Sequence, residues 1–258
     1  MELNLEFYPQ AVILLFSRMA SLLISLPFFG GSQVPAPMKM GIAFAMSVVL
    51  FPQLSPEWIS MAGQINTFFE MFIAMLNEIL IGAGMGLLCN AFLAACTLAG
   101  NIIGMDTGLS MAQAMDPVNG VSGSILSSII QYIGILMVLI LGGHLVLMKI
   151  LVVSLQTCAV PMQWLNDGFI MALVSTGKDM FLFGLKLALP VVCISLLMNV
   201  CFGLISRLAP DFDILFLSLP VRLGIGLAVF GLTLRFAGGV FEGMIEAMLN
   251  RCGAVFAG

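Results

Sequence analysis

Charged residues are scarce in this sequence. Only 9% of the 258 residues are Asp, Glu, Lys or Arg, whereas 61% are hydrophobic and the mean hydropathy is +1.15. A soluble domain usually carries roughly 25% charged residues. This chain has too few polar groups to cover its surface in water, so an ordinary soluble protein is excluded and a membrane protein is predicted.

Basic residues are few as well. Lys and Arg together number 9 against 13 acidic residues, which gives a formal net charge of −4. Binding to a nucleic-acid backbone requires clustered cations, and the sequence contains no such cluster. We therefore expect no nucleic-acid partner.

The residues of catalytic and metal sites are largely missing. His144 is the one histidine, and the six cysteines form no Cys-x-x-Cys pair. Most of the cysteines lie inside apolar runs, where a thiol behaves as a small hydrophobic group. No serine–aspartate arrangement surrounds His144, so a packed histidine is favoured over a catalytic base. We expect a non-enzymatic protein without a metal or cofactor.

Long apolar runs dominate the chain instead, and we count about six. They span residues 11–29, 38–54, 68–103, 125–153, 180–205 and 214–236. None shows the sustained two-residue alternation of a membrane barrel strand. In lipid every backbone polar group must be bonded internally, so these runs are expected to be helices. The fold class predicted is all-α, a membrane-associated protein of long helical hairpins, kinked where Pro220 interrupts the last run.

No polar linker divides the chain, so residues 1–258 are expected to form a single domain.

After the last run, residues 239–251 place acidic and amide side chains at four-residue steps. These are Glu242, Glu246 and Asn250, while Met244, Ile245, Met248 and Leu249 fall elsewhere on the helix. This pattern predicts an amphipathic helix at an interface.

Charged side chains lie inside several of the apolar runs. They are Arg18, Glu70, Glu78, Lys149, Lys186 and Arg222. An ionised group at the bilayer centre costs roughly 2.5–3.5 kcal/mol on the mildest scales. These groups should therefore face protein or water, which predicts a helical protein largely enclosed by partner subunits. Glu70 and Glu78 could relay protons, but bonding to an arginine or backbone group of a neighbour is favoured.

Small residues recur at one helical spacing between the third and fourth runs. Gly100, Gly104 and Gly108 fall four residues apart in the stretch GNIIGMDTGLSMAQAMDPVNGVSG. A helix face with so little bulk permits another backbone to approach closely. The Asp116-Pro117 pair then predicts a break in the helix, because proline lacks the backbone donor.

The same stretch is apolar and rich in methionine. Its large apolar side chains include Met105, Leu109, Met111 and Met115. Two interpretations remain open for it. One is a buried helix–turn–helix corner, and the other is a flexible, methionine-lined constriction, since thioether side chains adapt to varied partners.

A polar hairpin tip is predicted between the last two runs. Arg207 and Pro210 mark the end of one helix, where a cation is favoured by the helix dipole. Asp211 and Asp213 then precede the next helix, where acidic residues are favoured. Each feature is ordinary turn chemistry, but their co-occurrence is distinctive.

Motifs over nearly the whole chain resemble one known family. They are Phe16-Ser17-Arg18, Pro27, Pro35 to Lys39, Glu78-Ile79 with Gly82 and Gly86, Gly108 to Ala112 with Asp116-Pro117, Gly143-His144, Leu189-Pro190, and Asn199, Gly203, Arg207, Ala209-Pro210, Pro220 and Gly226. This order resembles the FliR family of flagellar export-gate proteins, called SctT in virulence systems. A typical member has phenylalanine where Leu109 stands, and often Gln-Met-Asn near residues 211–213.

The resemblance implies a non-enzymatic subunit of the flagellar type III protein export gate. In this family the subunit joins FliP, FliQ, FlhB and FlhA in the bacterial inner membrane, at the flagellar basal body, and unfolded flagellar proteins pass through. The loop matching residues 108–120 plugs the pore. The residues so implied are Met105, Gly108, Leu109, Met111, Met115, Asp116 and Pro117. The expected assembly contacts are Arg18, Glu78, Asn199, Arg207, Pro210 and Arg222.

Two alternative functions are kept. One is a subunit of a virulence type III secretion gate, which the Ser-Met-Ala block disfavours. The other is a secondary transporter that would use Glu78, His144 and Lys186 as a buried ion relay.

Overall fold

The computed structural model describes residues 9–26, 34–110, 124–157, 167–208 and 214–256. The regular structure of these ranges is helical, which confirms the all-α prediction. The helices are α1 (Pro9–Ser25), α2 (Ala36–Leu50), α3 (Pro56–Gly63), α4 (Phe68–Asp106), α5 (Ile125–Ile140), α6 (Gly143–Thr157), α7 (Asp167–Leu208), α8 (Ile214–Phe236) and α9 (Gly238–Phe256), with a 3-10 turn at Phe51–Gln53.

Two helices are much longer than a bilayer requires. α4 has 39 residues and α7 has 42. At 1.5 Å per residue each reaches roughly 60 Å, against about 30 Å of hydrocarbon. Within the described ranges, four helical segments are long and apolar enough to cross a membrane: Ala36–Gln53, Phe68–Asp106, Met171–Leu208 and Ser218–Phe236. These findings confirm a helical membrane protein.

The fourth apolar run is not one continuous helix. The chain bends by 66° between α5 and α6, at Leu141 and Gly142. Gly142 has φ +70°, a left-handed conformation that side-chain-bearing residues rarely adopt. The α5–α6 pair is therefore either a broken span, which would be a fifth, or a re-entrant pair of helices.

The chain forms two compact units. Unit 1 comprises Met1–Ala91, Gly142–Thr176 and Met248–Gly258, and unit 2 comprises Phe92–Leu141 and Gly177–Ala247. That all 258 residues act as one functional domain stays a prediction.

In unit 1, α1 is buried on nearly every face, as expected for a helix that is apolar all round. Leu14, Leu15 and Met19 are fully buried, as is Trp58 of α3. The Ser55 hydroxyl caps α3 by accepting a hydrogen bond from the Trp58 backbone N–H at 3.2 Å, and Pro56 fits the first turn. Capping fixes the start of α3 and directs the Trp58 indole into the core.

Helices α1 and α4 touch through glycine. A Cβ at Gly82 would collide with the Arg18 carbonyl oxygen and the Ser21 hydroxyl, and one at Gly86 would lie 3.0 Å from the Ser25 carbonyl carbon. The spacing Gly82-x-x-x-Gly86 is typical of close helix contact, and the structure shows such a contact here.

The last helix is amphipathic, as predicted. Phe241, Met244, Ile245 and Met248 of α9 are buried, whereas Glu242 and Glu246 are exposed. That this helix lies at a membrane interface stays a prediction.

The candidate spans on α7 and α8 are poorly covered by their own chain. Only 22% of the first and 11% of the second is buried, against 61% of the span on α4. Apolar helices this bare require lipid or another protein against them.

Candidate functional site

Helices α4 and α5 of unit 2 meet at a narrow neck, formed by Gly100, Gly104, Ser124 and Ser127. A Cβ at Gly100 would collide with the Ser127 backbone, and one at Gly104 with the Ser124 side chain. The structure thus confirms the predicted close approach along the glycine face. Because the neck joins residue 104 to residue 124, both ends of the methionine-rich stretch start from one packed point.

Two hydrogen bonds donated by Ser127 order the α5 side of the neck. The Ser127 hydroxyl donates to the Ser124 carbonyl at 2.6 Å, and the Ser127 backbone N–H donates to the same oxygen at 2.9 Å. Both serines are 5% exposed. The neck is therefore a packed feature of the protein interior, where a side chain at position 100 would displace the Ser127 backbone and one at position 104 would displace the Ser124 side chain.

Helix α4 ends in a left-handed turn at the start of the predicted plug. The Thr107 backbone N–H and hydroxyl both donate to the Ile103 carbonyl at 2.9 Å, and the Gly108 N–H donates to the Met105 carbonyl at 3.1 Å. Gly108 has φ +78°. A left-handed glycine is the usual way to stop a helix and redirect the chain.

The residues of the predicted plug are only partly described. Met105 is 70% exposed, and Gly108 and Leu109 are half-buried. Met111, Met115, Asp116 and Pro117 lie outside the described residues. The plug therefore stays a prediction.

The end of α4 packs against one face of α8. A Cβ at Gly226 would collide with the Thr107 methyl group, and one at Gly108 would lie 3.4 Å from a Leu219 methyl carbon. The Asp106 carboxylate also lies within electrostatic range of Arg222. No local sequence pattern pointed to Asp106 or Thr107, because their partner helix lies more than a hundred residues further along the chain.

Arg222 also joins α8 to α7. Its Nη2 donates a hydrogen bond to the Asn199 side-chain oxygen, and its Nε is buried without a partner among the described residues. Sequence analysis predicted Asn199 and Arg222 as assembly contacts. The structure pairs them within the chain, and a further contact with another subunit stays a prediction.

A buried ion pair lies at the centre of unit 1. Arg18 is 0% exposed and Glu78 is 2% exposed. The guanidinium binds both carboxylate oxygens, through Nε to Oε2 and through Nη2 to Oε1 at 3.1 Å. Its Nη1 donates to the carbonyl and hydroxyl oxygens of Ser154, at 3.2 and 3.3 Å. One arginine thus connects α1, α4 and α6.

This arrangement confirms that Arg18 and Glu78 are enclosed by protein, and Glu78 bonds an arginine as favoured. The arginine belongs to the same chain, so a role for either residue in contacting a partner subunit stays a prediction. Ser154 was missed by sequence analysis, because a serine in an apolar helix carries no distinguishing signal.

Those of the remaining predicted residues that the structure describes lie on the surface of this chain. Arg207 is exposed at the end of α7, and Pro210 lies outside the described residues. His144 is exposed, and Lys186 is exposed with its ammonium 5.0 Å from the Phe183 ring centre. Only Glu78 of the three proposed relay residues is buried, and it is already paired with Arg18.

Comparison with known proteins gives a consistent match. The family model described as bacterial export proteins, family 1, matches residues 10–248. The chain is 29% identical to the flagellar biosynthetic protein FliR of Escherichia coli K12, with 96% of this chain and 91% of that protein covered. The FliR protein of Caulobacter vibrioides is 30% identical, covering 88% and 90%, and that of Bacillus subtilis is 24% identical, covering 95% of both.

Proposed function

Because the chain belongs to the bacterial export proteins, family 1, we propose that it is a non-enzymatic subunit of the flagellar type III export gate. It would form, with FliP and FliQ and joined by FlhB and FlhA, the channel through which unfolded flagellar proteins cross the inner membrane. The observation that carries this proposal is the family match along residues 10–248.

Structural features support a subunit that works inside an assembly. The candidate spans on α7 and α8 are mostly uncovered, and α4 and α7 are about twice as long as a bilayer is thick. Helices of this kind suit a complex that extends beyond the bilayer plane and covers the bare faces with neighbouring subunits.

Flagellar export is favoured over the two alternatives. All three relatives carry a flagellar name. A secondary transporter needs a buried ion relay, whereas His144 and Lys186 are exposed and Glu78 is committed to Arg18. No observation on the described residues favours transport of a small molecule.

Residues 108–120 would act as the pore plug. A plug must exclude water when closed and repack when a substrate arrives, and methionine is apolar and flexible enough for both. Gly108 already has a left-handed conformation, so it can redirect the chain where the plug begins. The neck holds the two ends of the stretch together, which suits a loop that closes on a fixed base.

Deleting residues 111–116 tests the plug. We expect normal yield of the assembled complex but leakage of ions across the membrane, because the obstruction is removed while the neck is kept. The matched variant Met111→Ala/Met115→Ala keeps the backbone in place and should leak less. Membrane conductance and complex yield are measured on the same preparations.

A purely structural corner predicts the reverse order of damage. The deletion would then abolish assembly, and each alanine would cost roughly 2–5 kcal/mol of packing. A deletion variant that assembles fully and stays tight to ions would rule out the plug.

A further inference from the structure

We infer that one face of α8 is the fixed anchor of the gating stretch, so that opening pivots at Gly108 and leaves the end of α4 in place. This face, the α8 seat, consists of Leu219, Arg222 and Gly226. The inference rests on the proposed plug for its role but on described residues for its geometry.

The α8 seat is a single helix face. Its three residues are separated by three and four positions, the spacing that places side chains on one side of a helix. Two of them lie against consecutive residues at the end of α4: Leu219 meets Gly108 and Gly226 meets Thr107. Arg222 is within electrostatic range of Asp106, the residue before them. The register between α8 and the end of α4 is thus set by two adjoining packing contacts.

The central contact fits too closely to allow another side chain. Thr107 is 1% exposed, and its methyl group occupies the space that a Cβ on Gly226 would need. Thr107 cannot simply rotate away, because its hydroxyl bonds the Ile103 carbonyl at 2.9 Å and β-branched side chains have few rotamers. Any side chain at position 226 must therefore displace the end of α4 itself.

The charges strengthen the same contact. Arg222 also donates a hydrogen bond to Asn199 of α7, which ties its guanidinium to a second helix. Attraction between the Asp106 carboxylate and the Arg222 cation opposes withdrawal of the α4 end. Gly108 follows Thr107 directly and has φ +78°. Because glycine has no side chain, Gly108 is the first residue after this contact whose backbone can change conformation at low steric cost.

The principal test compares two glycines of α8. Gly226→Ala should displace Thr107 and the start of the plug, and so give ion leakage at normal complex yield. Gly224→Ala is the matched control, since a Cβ at Gly224 meets nothing within 4 Å and the change in helix propensity is the same. A Gly226→Ala complex that assembles and stays as tight as the Gly224→Ala complex would overturn the anchor.

A second-site change shows whether the damage arises at this contact. Thr107→Ser removes the methyl group that the new Cβ strikes but keeps the hydroxyl. Thr107→Ser/Gly226→Ala should therefore be at least severalfold less leaky than Gly226→Ala alone. This comparison also covers the case in which Gly226→Ala lowers assembly, because the double variant should then recover the yield. Lack of any rescue would count against the contact.

A disulfide tests whether the anchor stays fixed during export. An ideal Cβ at 226 lies 3.4 Å from the Thr107 Cβ, close to the 3.5–4.5 Å found across disulfides. With the natural cysteines replaced by alanine, Thr107→Cys/Gly226→Cys should cross-link on oxidation and Thr107→Cys/Gly224→Cys should not. The cross-linked complex should stay tight to ions and still export flagellar proteins.

The outcomes separate the anchor from the plug. Export that stops on cross-linking and returns on reduction would show that the α4 end must leave the α8 seat, and absence of the cross-link would refute the contact; either result overturns the inference. Failure of the plug itself is read from the 111–116 deletion, which does not alter the α8 seat. A leaky deletion with a tight Gly226→Ala variant would reject the anchor alone.

Discussion

At the scale of single residues, the Arg18–Glu78 pair is a buried ion pair whose two members depend on each other. Both side chains are buried, and the guanidinium reaches the carboxylate through two nitrogens and Ser154 through the third. Such a pair is not necessarily a net stabiliser, since burying two charges offsets much of their attraction. Each of the two side chains depends on the other, because either one alone would be a buried, unpaired charge.

Removal of one partner should therefore be worse than removal of both. We expect Arg18→Met to lower the free energy of unfolding by about 3–5 kcal/mol, because it leaves the Glu78 carboxylate buried and unpaired. Arg18→Met/Glu78→Gln should recover most of this loss. Thermal unfolding of the purified protein in detergent measures both, and a double variant as damaged as Arg18→Met would contradict the mutual dependence.

The sequence predicted part of this pair and could not predict the rest. A charge inside an apolar run must be enclosed, and that argument alone identified Arg18 and Glu78 as buried groups. Their pairing joins positions separated by 60 residues, and it depends on how α1 crosses α4. That crossing is set by packing around Gly82 and Gly86. The pattern along one sequence does not show which helix packs against these glycines.

At the scale of elements, glycine decides where helices meet. A Cβ at Gly86 would lie 3.0 and 3.1 Å from backbone carbons of Ser25, so α1 and α4 would have to separate. Gly177 lies on the long helix α7 with open space around it. The same residue type therefore has opposite roles on two long helices.

Substituting these two glycines should shift stability in opposite directions. Gly86→Ala should destabilise unit 1 by about 1–3 kcal/mol through overpacking. Gly177→Ala should be neutral or stabilising by up to about 1 kcal/mol, because alanine is the better helix former. Urea or thermal unfolding of the two variants in the same detergent provides the comparison, and equal effects would argue against a tight α1–α4 contact.

The apolar runs predicted which segments are helical but not where every helix begins and ends. Apolar runs identified the helices because lipid leaves few other structures for them. The break between α5 and α6 was missed, since Gly142-Gly143 resembles ordinary glycine usage in a membrane helix and only φ +70° at Gly142 reveals the turn. Helix α7 begins at Asp167, 13 positions before the apolar run, because a helix can continue into polar sequence that hydropathy does not detect.

At the scale of the whole molecule, the chain leaves much apolar surface of its described helices uncovered. Two of its poorly buried candidate spans lie on α7 and α8, and at the end of α7 Leu204 is 59% and Leu208 is 84% exposed. Apolar side chains this exposed are covered in the cell by lipid or protein. Arg207 lies between them and is itself exposed.

The position of Arg207 favours protein as the cover. A guanidinium deep in hydrocarbon would cost roughly 2.5–3.5 kcal/mol or more, whereas a carboxylate or carbonyl of a neighbouring subunit would satisfy it. Arg207→Ala should therefore lower the yield of the assembled complex before it changes permeation. Lys178→Ala is the control, since Lys178 is another exposed cation on the same helix. Co-purification with the partner subunits and membrane conductance are measured together: a normal yield with altered conductance alone would place Arg207 in the transport path instead of at an assembly contact.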